Sequence, residues 1–239
     1  MKYLVTVLFW LLFALTAPVA FLLGVALFAL TAPFDPDRRV LHAFICRWTF
    51  QYLRWNPAWD VEVLHRERLP QGAAVLVANH QSMADIVASM GLFYPFKFVS
   101  KGSLFHLPLV GWMMTLLRHV RVERGRRSSM QAMMTTCKGW LERQMAVLIY
   151  PEGTYSADGQ LLPFKRGAFA LAIECQVPLV PILIEGTREL VLGDGPWMSP
   201  TCRVRVTVLP PLQRDELGKD DQALADKVRR QFLERLHGA

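Results

Sequence analysis

The stretch "AAVLVANHQSMADIVASMGLF", residues 73–93, joins an unbroken apolar run to a segment with helical spacing. Residues 73–79 are small or branched apolar side chains up to a closing Asn, the pattern of a strand buried on both faces, and the segment from Ala84 onward reads as a helix. The same alternation continues on either side. Residues 60–65 and 96–101 read as strands, 109–117 as a helix, 119–124 as a strand and 128–144 as a helix with Ser128 or Ser129 as its N-cap. "AVLIYPEG" is an apolar strand running into a turn, "FKRGAFALAIEC" a helix and "LVPILIEG" a strand. "RVRVTVLPPL" alternates as a strand exposed on one face, and Leu224, Val228, Phe232 and Leu236 form a stripe on a closing helix. Strands alternating with helices imply an α/β layered domain with a largely parallel sheet flanked by helices.

The apolar content is concentrated at the N-terminus, where no charged residue occurs between Lys2 and Asp35. A run of that length exceeds the roughly 20 residues that cross a bilayer, and a lone Lys2 ahead of it does not resemble a cleaved leader, so the expectation is a retained membrane anchor. Pro18 divides the run, which leaves a tilted single helix and a one-leaflet helical hairpin both open. Residues 1–55 are expected to form this anchor with an amphipathic linker over 40–53, and residues 56–239 the α/β domain. Basic residues after the run, including Arg38, Arg39, Arg47 and Arg54, favour the cytoplasmic side of the inner (cytoplasmic) membrane. The net charge of +7 comes with no nucleic-acid motif, so anionic lipid or an anionic substrate is the expected partner. Cys46, Cys137, Cys175 and Cys202 have no paired spacing and read as four buried thiols in a reducing compartment.

Chemistry is expected where a strand passes into a helix, because open α/β sheets place ligands at the carboxyl ends of their strands. Ser82-Met83-Ala84-Asp85 has the form of a capping box, which would account for Asp85 as a helix start. His80, just ahead of the cap, is not explained that way: a carboxylate bonded to one imidazole nitrogen fixes the tautomer and makes the other a general base. No G-x-S-x-G elbow, H-E-x-x-H, P-loop or G-x-G-x-x-G accompanies the pair. A histidine–carboxylate pair without an enzyme nucleophile points to a substrate that supplies its own hydroxyl, with direct transfer and no acyl-enzyme. Residues 118–127 carry Arg118, Arg121, Arg124, Arg126 and Arg127 against Glu123 alone, suited to phosphate capture. Pro151, Glu152 and Gly153 form a turn at a strand end, where the carboxylate is placed to meet an acceptor hydroxyl and Lys165 its phosphate.

Together these segments resemble the glycerolipid acyltransferase family, in particular its bacterial 1-acyl-glycerol-3-phosphate acyltransferases. The family block N-H-x-x-x-x-D matches Asn79, His80 and Asp85. The block running from a lysine through P-x-x-G-W to a strand-end arginine matches Lys101, Pro108, Gly111, Trp112 and Arg124. F-P-E-G-T-R-S appears as residues 150–156, and V-P-x-x-P as Val177, Pro178 and Pro181. The resemblance implies that His80 deprotonates the free hydroxyl of a lysophospholipid, which attacks the thioester of acyl-CoA or acyl carrier protein, with Asp85 orienting the imidazole. It places Glu152, Gly153 and Thr154 in the acceptor site and Lys101 and Arg124 near the acceptor's phosphate. It implies no metal and no bound organic cofactor, and it gives the N-terminal apolar segment the role of membrane anchor. One position departs from the pattern: the third block's arginine is Tyr155 here. Compensation by Arg124, Lys165 or Arg166 is expected, with an acceptor other than lysophosphatidate, or an inactive lipid-binding protein, as alternatives. The Met-rich helices over 112–117 and 130–134 are expected in the core.

Overall fold

A computed structural model of residues 1–239 describes all but Arg124, Ala157, Asp158, Gly193, Asp194, Gly238 and Ala239, together with all of His237 except its side chain. In chain order the elements are α1 (Lys2–Thr31), α2 (Arg39–Arg54), β1 (Trp59–Leu64), β2 (Val75–Ala78), α3 (Ala84–Met90), β3 (Phe96–Lys101), α4 (Val110–Leu116), β4 (Val120–Val122) and α5 (Arg127–Glu142). They continue with β5 (Ala146–Ile149), α6 (Gly167–Cys175), β6 (Leu179–Glu185), α7 (Thr187–Leu190), β7 (Val191–Leu192), β8 (Trp197–Met198), β9 (Cys202–Val208) and α8 (Asp221–His237). Seven strands form one sheet in the order β1-β9-β6-β2-β5-β3-β4. β6, β2, β5, β3 and β4 are mutually parallel, while β9 runs antiparallel to β6 and carries β1 parallel to itself. The expected layered α/β domain with a mixed, largely parallel sheet is thus observed.

Every residue of β2 and β5 is buried, because helices cover both faces and alternate side chains enter opposite cores. Val75, Val77, Val147 and Ile149 pack with α5, α6 and α8, to which Leu224, Val228 and Phe232 contribute the predicted stripe. Leu76, Ala78, Ala146 and Leu148 pack on the other face with Cys46, Phe50 and Leu53. The amphipathic stretch expected as a linker is α2, whose apolar side enters the core on that face of the sheet. Ser128 and Ser129 do not cap α5: the helix begins one turn position earlier after Arg126, and the Ser129 hydroxyl instead accepts from the Glu123 N–H. Met113 and Met133 are buried, as expected, although Met130 is exposed. Of the four thiols, Cys46 and Cys137 are buried but Cys175 and Cys202 are half-exposed at helix and strand ends.

The N-terminal run is one continuous helix, not a hairpin, with Pro18 inside it. A proline removes one backbone hydrogen bond, and α1 is supported along its length by the rest of the chain. Thr6 Oγ1 accepts from the Met198 N–H, Trp10 Nε1 donates to the Pro196 carbonyl, and Thr16 shares a hydrogen bond with Tyr52. Phe21 packs on Trp112, and Gly24 lies so close to Met113 that a Cβ there would sit 2.5 Å from the Met113 methyl. Among the described residues α1 is the one helix long and apolar enough to cross a membrane. Its opposite side, including Leu4, Leu11, Leu15 and Leu22, is exposed.

Candidate active site

Parallel strands deliver their following loops to one edge of the sheet, and β2, β5 and β6 are neighbours there. Beyond β2 the Asn79 side chain substitutes for a strand residue: its Nδ2 donates to the Ile184 carbonyl at 2.8 Å and its Oδ1 accepts from the Ile184 N–H at 2.7 Å. This clip holds the chain in register up to the residue before His80. His80 is 8% exposed, and its Nδ1 lies 2.7 Å from Asp85 Oδ2. The same carboxylate oxygen accepts from the Gln81 and Ser82 N–H groups at 2.6 and 2.8 Å, and Oδ1 accepts from the Thr187 hydroxyl. The capping function expected of Asp85 is present in half: it takes the Ser82 N–H, while the Ser82 hydroxyl accepts from Ala84 and donates to the Thr187 carbonyl. One carboxylate thus ties down the turn that leads into α3 and fixes the imidazole. A ring that donates from Nδ1 to a carboxylate carries its lone pair on Nε2, the form needed to accept a proton.

The plane of the ring is set by aromatic contacts. Tyr150 stacks on it at 4.3 Å between centroids and 22° between planes, and Tyr155 meets it edge-on at 5.9 Å. The Tyr150 hydroxyl bonds Ser89 on α3 at 3.0 Å, and burial, with the Asp85 carboxylate adding to it, pushes its phenol well above the ordinary value. Glu152 is 4% exposed, and its two oxygens accept from backbone donors, the His80 N–H at 2.7 Å and the Leu162 N–H at 2.9 Å. Burial raises its carboxyl above the usual range against the opposing pull of those two amides. Its principal contacts therefore tie the 152–162 loop to the backbone of His80, and the expected contact with an acceptor hydroxyl uses lone pairs left over.

Gly153 has φ 73°, and a Cβ there would lie 2.3 Å from Lys165 Nζ, so the left-handed turn and the overlying ammonium both favour glycine. Thr154, Lys165 and Arg166 are exposed beside this turn. Lys101 is exposed at the carboxyl end of β3, two strands from β2, and so on the same edge as His80 but about 10 Å away in strand spacing. Arg124 lies outside the described residues. A narrow cleft at the edge is lined by His80, Gln81, Glu152, Gly159, Gln160 and Leu161, among others. Among the described residues no group of three His, Cys, Asp or Glu side chains is placed to hold a metal ion. Sequence reasoning left out Tyr150 as a ring support, Ser82 as a two-way link and Thr187 as an Asp85 partner. Thr187 stands about a hundred residues from Asp85, and only the parallel pairing of β2 with β6 brings them together.

The acyltransferase family model matches residues 60–185. This chain belongs to the acyltransferase family. Within it, a 1-acyl-sn-glycerol-3-phosphate acyltransferase of Chlamydomonas reinhardtii is 36% identical over 204 residues, covering 80% of this chain and 61% of the relative. A chloroplastic 1-acyl-sn-glycerol-3-phosphate acyltransferase of Brassica napus is 32% identical over 206 residues, covering 85% and 58%. The alpha form from Homo sapiens is 32% identical over 204 residues, covering 82% and 70%. The chain spans less than two thirds of the plant and algal relatives it matches. Its fold is that of the crystal structure of the 1-acyl-sn-glycerophosphate acyltransferase PlsC from Thermotoga maritima, with a TM-score of 0.78 at 24% identity over 100% of this chain and 99% of that one.

Proposed function

We propose that this acyltransferase-family chain moves a fatty acyl group from acyl-CoA or acyl carrier protein to the free sn-2 hydroxyl of lysophosphatidate, giving phosphatidate. The observation that carries the reading is the buried His80–Asp85 pair at the sheet's carboxyl edge, which leaves Nε2 as the basic nitrogen. Nε2 takes the acceptor's hydroxyl proton as the oxygen attacks the thioester carbonyl. The new C–O ester bond forms, the C–S bond breaks, and the departing thiolate takes the proton back from the imidazolium. Asp85 stabilises the imidazolium between those two transfers. Each proton is returned, so the chemistry requires no enzyme nucleophile.

Membrane association is supported by the exposed apolar side of α1 and by Leu107, Val110 and Trp112, which are exposed beside it and joined to it through the Trp112–Phe21 contact. In this reading the protein lies against the cytoplasmic face of the inner membrane, where the basic residues of α2 meet anionic headgroups. Lys165, whose ammonium overlies Gly153, is a cation beside this turn able to offset the loss of the family arginine at Tyr155. Lys101, at the same sheet edge, is a further cation for the acceptor's phosphate in this account. The test is acyl transfer by membranes carrying the wild-type chain, with labelled acyl-CoA or acyl carrier protein and a panel of lysolipids, products identified by mass spectrometry. Phosphatidate is the expected main product. Another lysolipid acylated at least as fast would move the acceptor away from lysophosphatidate while leaving the base pair in place.

A further inference from the structure

Resting on the acyl-transfer reading of this site, we infer that Thr187 is a positioning residue for His80 and acts through Asp85. The two oxygens of Asp85 carry unequal loads. Oδ2 accepts the His80 Nδ1–H and the N–H groups of Gln81 and Ser82, whereas Oδ1 has the Thr187 hydroxyl. Both residues are 0% exposed. The three bonds on Oδ2 anchor one side of the carboxylate and leave its other oxygen to be held separately. The hydroxyl on the other oxygen fixes its plane, so that Oδ2 keeps facing Nδ1. The same hydroxyl draws part of the negative charge away from the oxygen that faces the ring.

The backbone places Thr187 for this purpose. Gly186 turns the chain off β6 at φ 79°, and a Cβ there would lie 1.7 Å from the Arg203 carbonyl oxygen, a position that only glycine occupies without moving β9. Ser82 then donates to the Thr187 carbonyl, and Asn79 pairs with both backbone groups of Ile184. The β2–α3 and β6–α7 junctions are joined by three polar ties, and the Thr187–Asp85 bond is the one that reaches the catalytic pair.

Among the described residues the groups that face the pair include Tyr150 and Tyr155 on the ring, Glu152 on the His80 amide, and the Gln81 and Ser82 amides and Thr187 hydroxyl on Asp85. Farther out, Lys165 overlies Gly153 and the Arg188 guanidinium reaches the Ser156 carbonyl. With these unchanged, removing the hydroxyl returns charge to the Asp85 oxygen beside the imidazole. The pair then holds its shared proton more tightly. The base becomes available only at higher pH.

The experiment compares Thr187→Val, Thr187→Ala and Thr187→Ser in the full-length chain in membranes or detergent. For Val and Ala, kcat is expected to fall on the order of tenfold with KM changed less than twofold, and the acid limb of the kcat profile to move up by about half a pH unit or more. Ser keeps the hydroxyl and is expected to restore both. A second readout requires no turnover: in protein with labelled histidine, the His80 resonance, identified by its loss in His80→Gln, is titrated by NMR in each variant. Its midpoint is expected to rise in Val and Ala and to return in Ser. Unchanged midpoints in Val and Ala, or a Ser variant that behaves as Ala does, would overturn the assignment. If the wild type transfers no acyl group to any lysolipid, the acyl-transfer reading falls and the NMR titration still decides the role of Thr187. Since Ala and Ser differ only in the hydroxyl, an unfolded Val variant leaves the test intact.

Discussion

Two buried polar clusters sit in this fold, and they are built on opposite principles. At the carboxyl edge of β2, His80 and Asp85 are surrounded by donors and acceptors that fix the ring beside a narrow cleft. On the α5 side of β3, Lys97 is fully buried with its ammonium donating to the Asp37 and Leu117 carbonyls, each at 2.7 Å, and lying 4.5 Å over the Trp140 ring. His42 and His119 stand beside it, their rings 6.1 Å apart. Burial displaces titration in both clusters: in this second one it brings Lys97 down to about 7 and His42 down to about 4 and pushes His119 well below its ordinary value, while beside His80 it pushes the Tyr150 phenol well above its own. Perturbed titration alone does not choose between the two clusters. What distinguishes the two is location. Lys97 spends its donors on joining the connector before α2 and the end of α4 to the sheet, whereas His80 lies at the sheet's carboxyl edge and lines a narrow cleft.

Exchanging the partners in each cluster should separate chemistry from stability. The largest effect is expected from Asp85→Asn, which removes the charge that stabilises the imidazolium and presents an NH₂ group to a ring of donors. A loss of kcat of about 10³-fold or more is expected in acyl transfer by protein shown to be folded by its melting transition. Lys97→Ala should do the reverse. It leaves a cavity and two carbonyls without their donor, at about 2–4 kcal/mol of stability in a denaturant titration, while the rate per folded molecule stays within twofold.

Acid should act on the second cluster in particular. His42 stays neutral in the folded chain down to about pH 4, whereas unfolded it takes a proton near 6.5. The folded state binds fewer protons between those values, so the stability this residue contributes is present above pH 6.5 and is lost as pH falls toward 4, up to about 3 kcal/mol. His42→Gln should flatten that dependence. An equal acid loss in the variant would remove His42 as its source. The smallest effect is expected from Tyr155→Arg, which returns a cation to the loop next to His80: KM for lysophosphatidate should fall a few-fold with kcat little changed.

Much of the fold was legible because apolar periodicity and the burial of parallel strands obey local rules. β3 was found residue for residue, and the stripe on α8 emerged from spacing alone. Local signals fell short where tertiary support decides. Pro18 left a single helix and a hairpin both open, and the chain takes the single helix, packed on β8, α2 and α4. Ser128 and Ser129 looked like caps, but the approach of β4 recruits Ser129 for a turn. In the site, His80, Asp85 and Glu152 lie in segments whose spacing marks them. Thr187 and Tyr150 carry no such mark, because their roles depend on which strands become neighbours. Lys97 was equally silent, since nothing in "FKFVSK" says that its first lysine points into the core and its second into solvent.

The claim that His80 is the base is tested most directly by His80→Ala, prepared beside the wild type and assayed in the same membranes with labelled acyl-CoA and lysophosphatidate. The account predicts that phosphatidate formation falls by about 10³-fold or more while the melting temperature moves by no more than a few degrees. A His80→Ala protein that is folded and still forms phosphatidate at a rate near that of the wild type would contradict it.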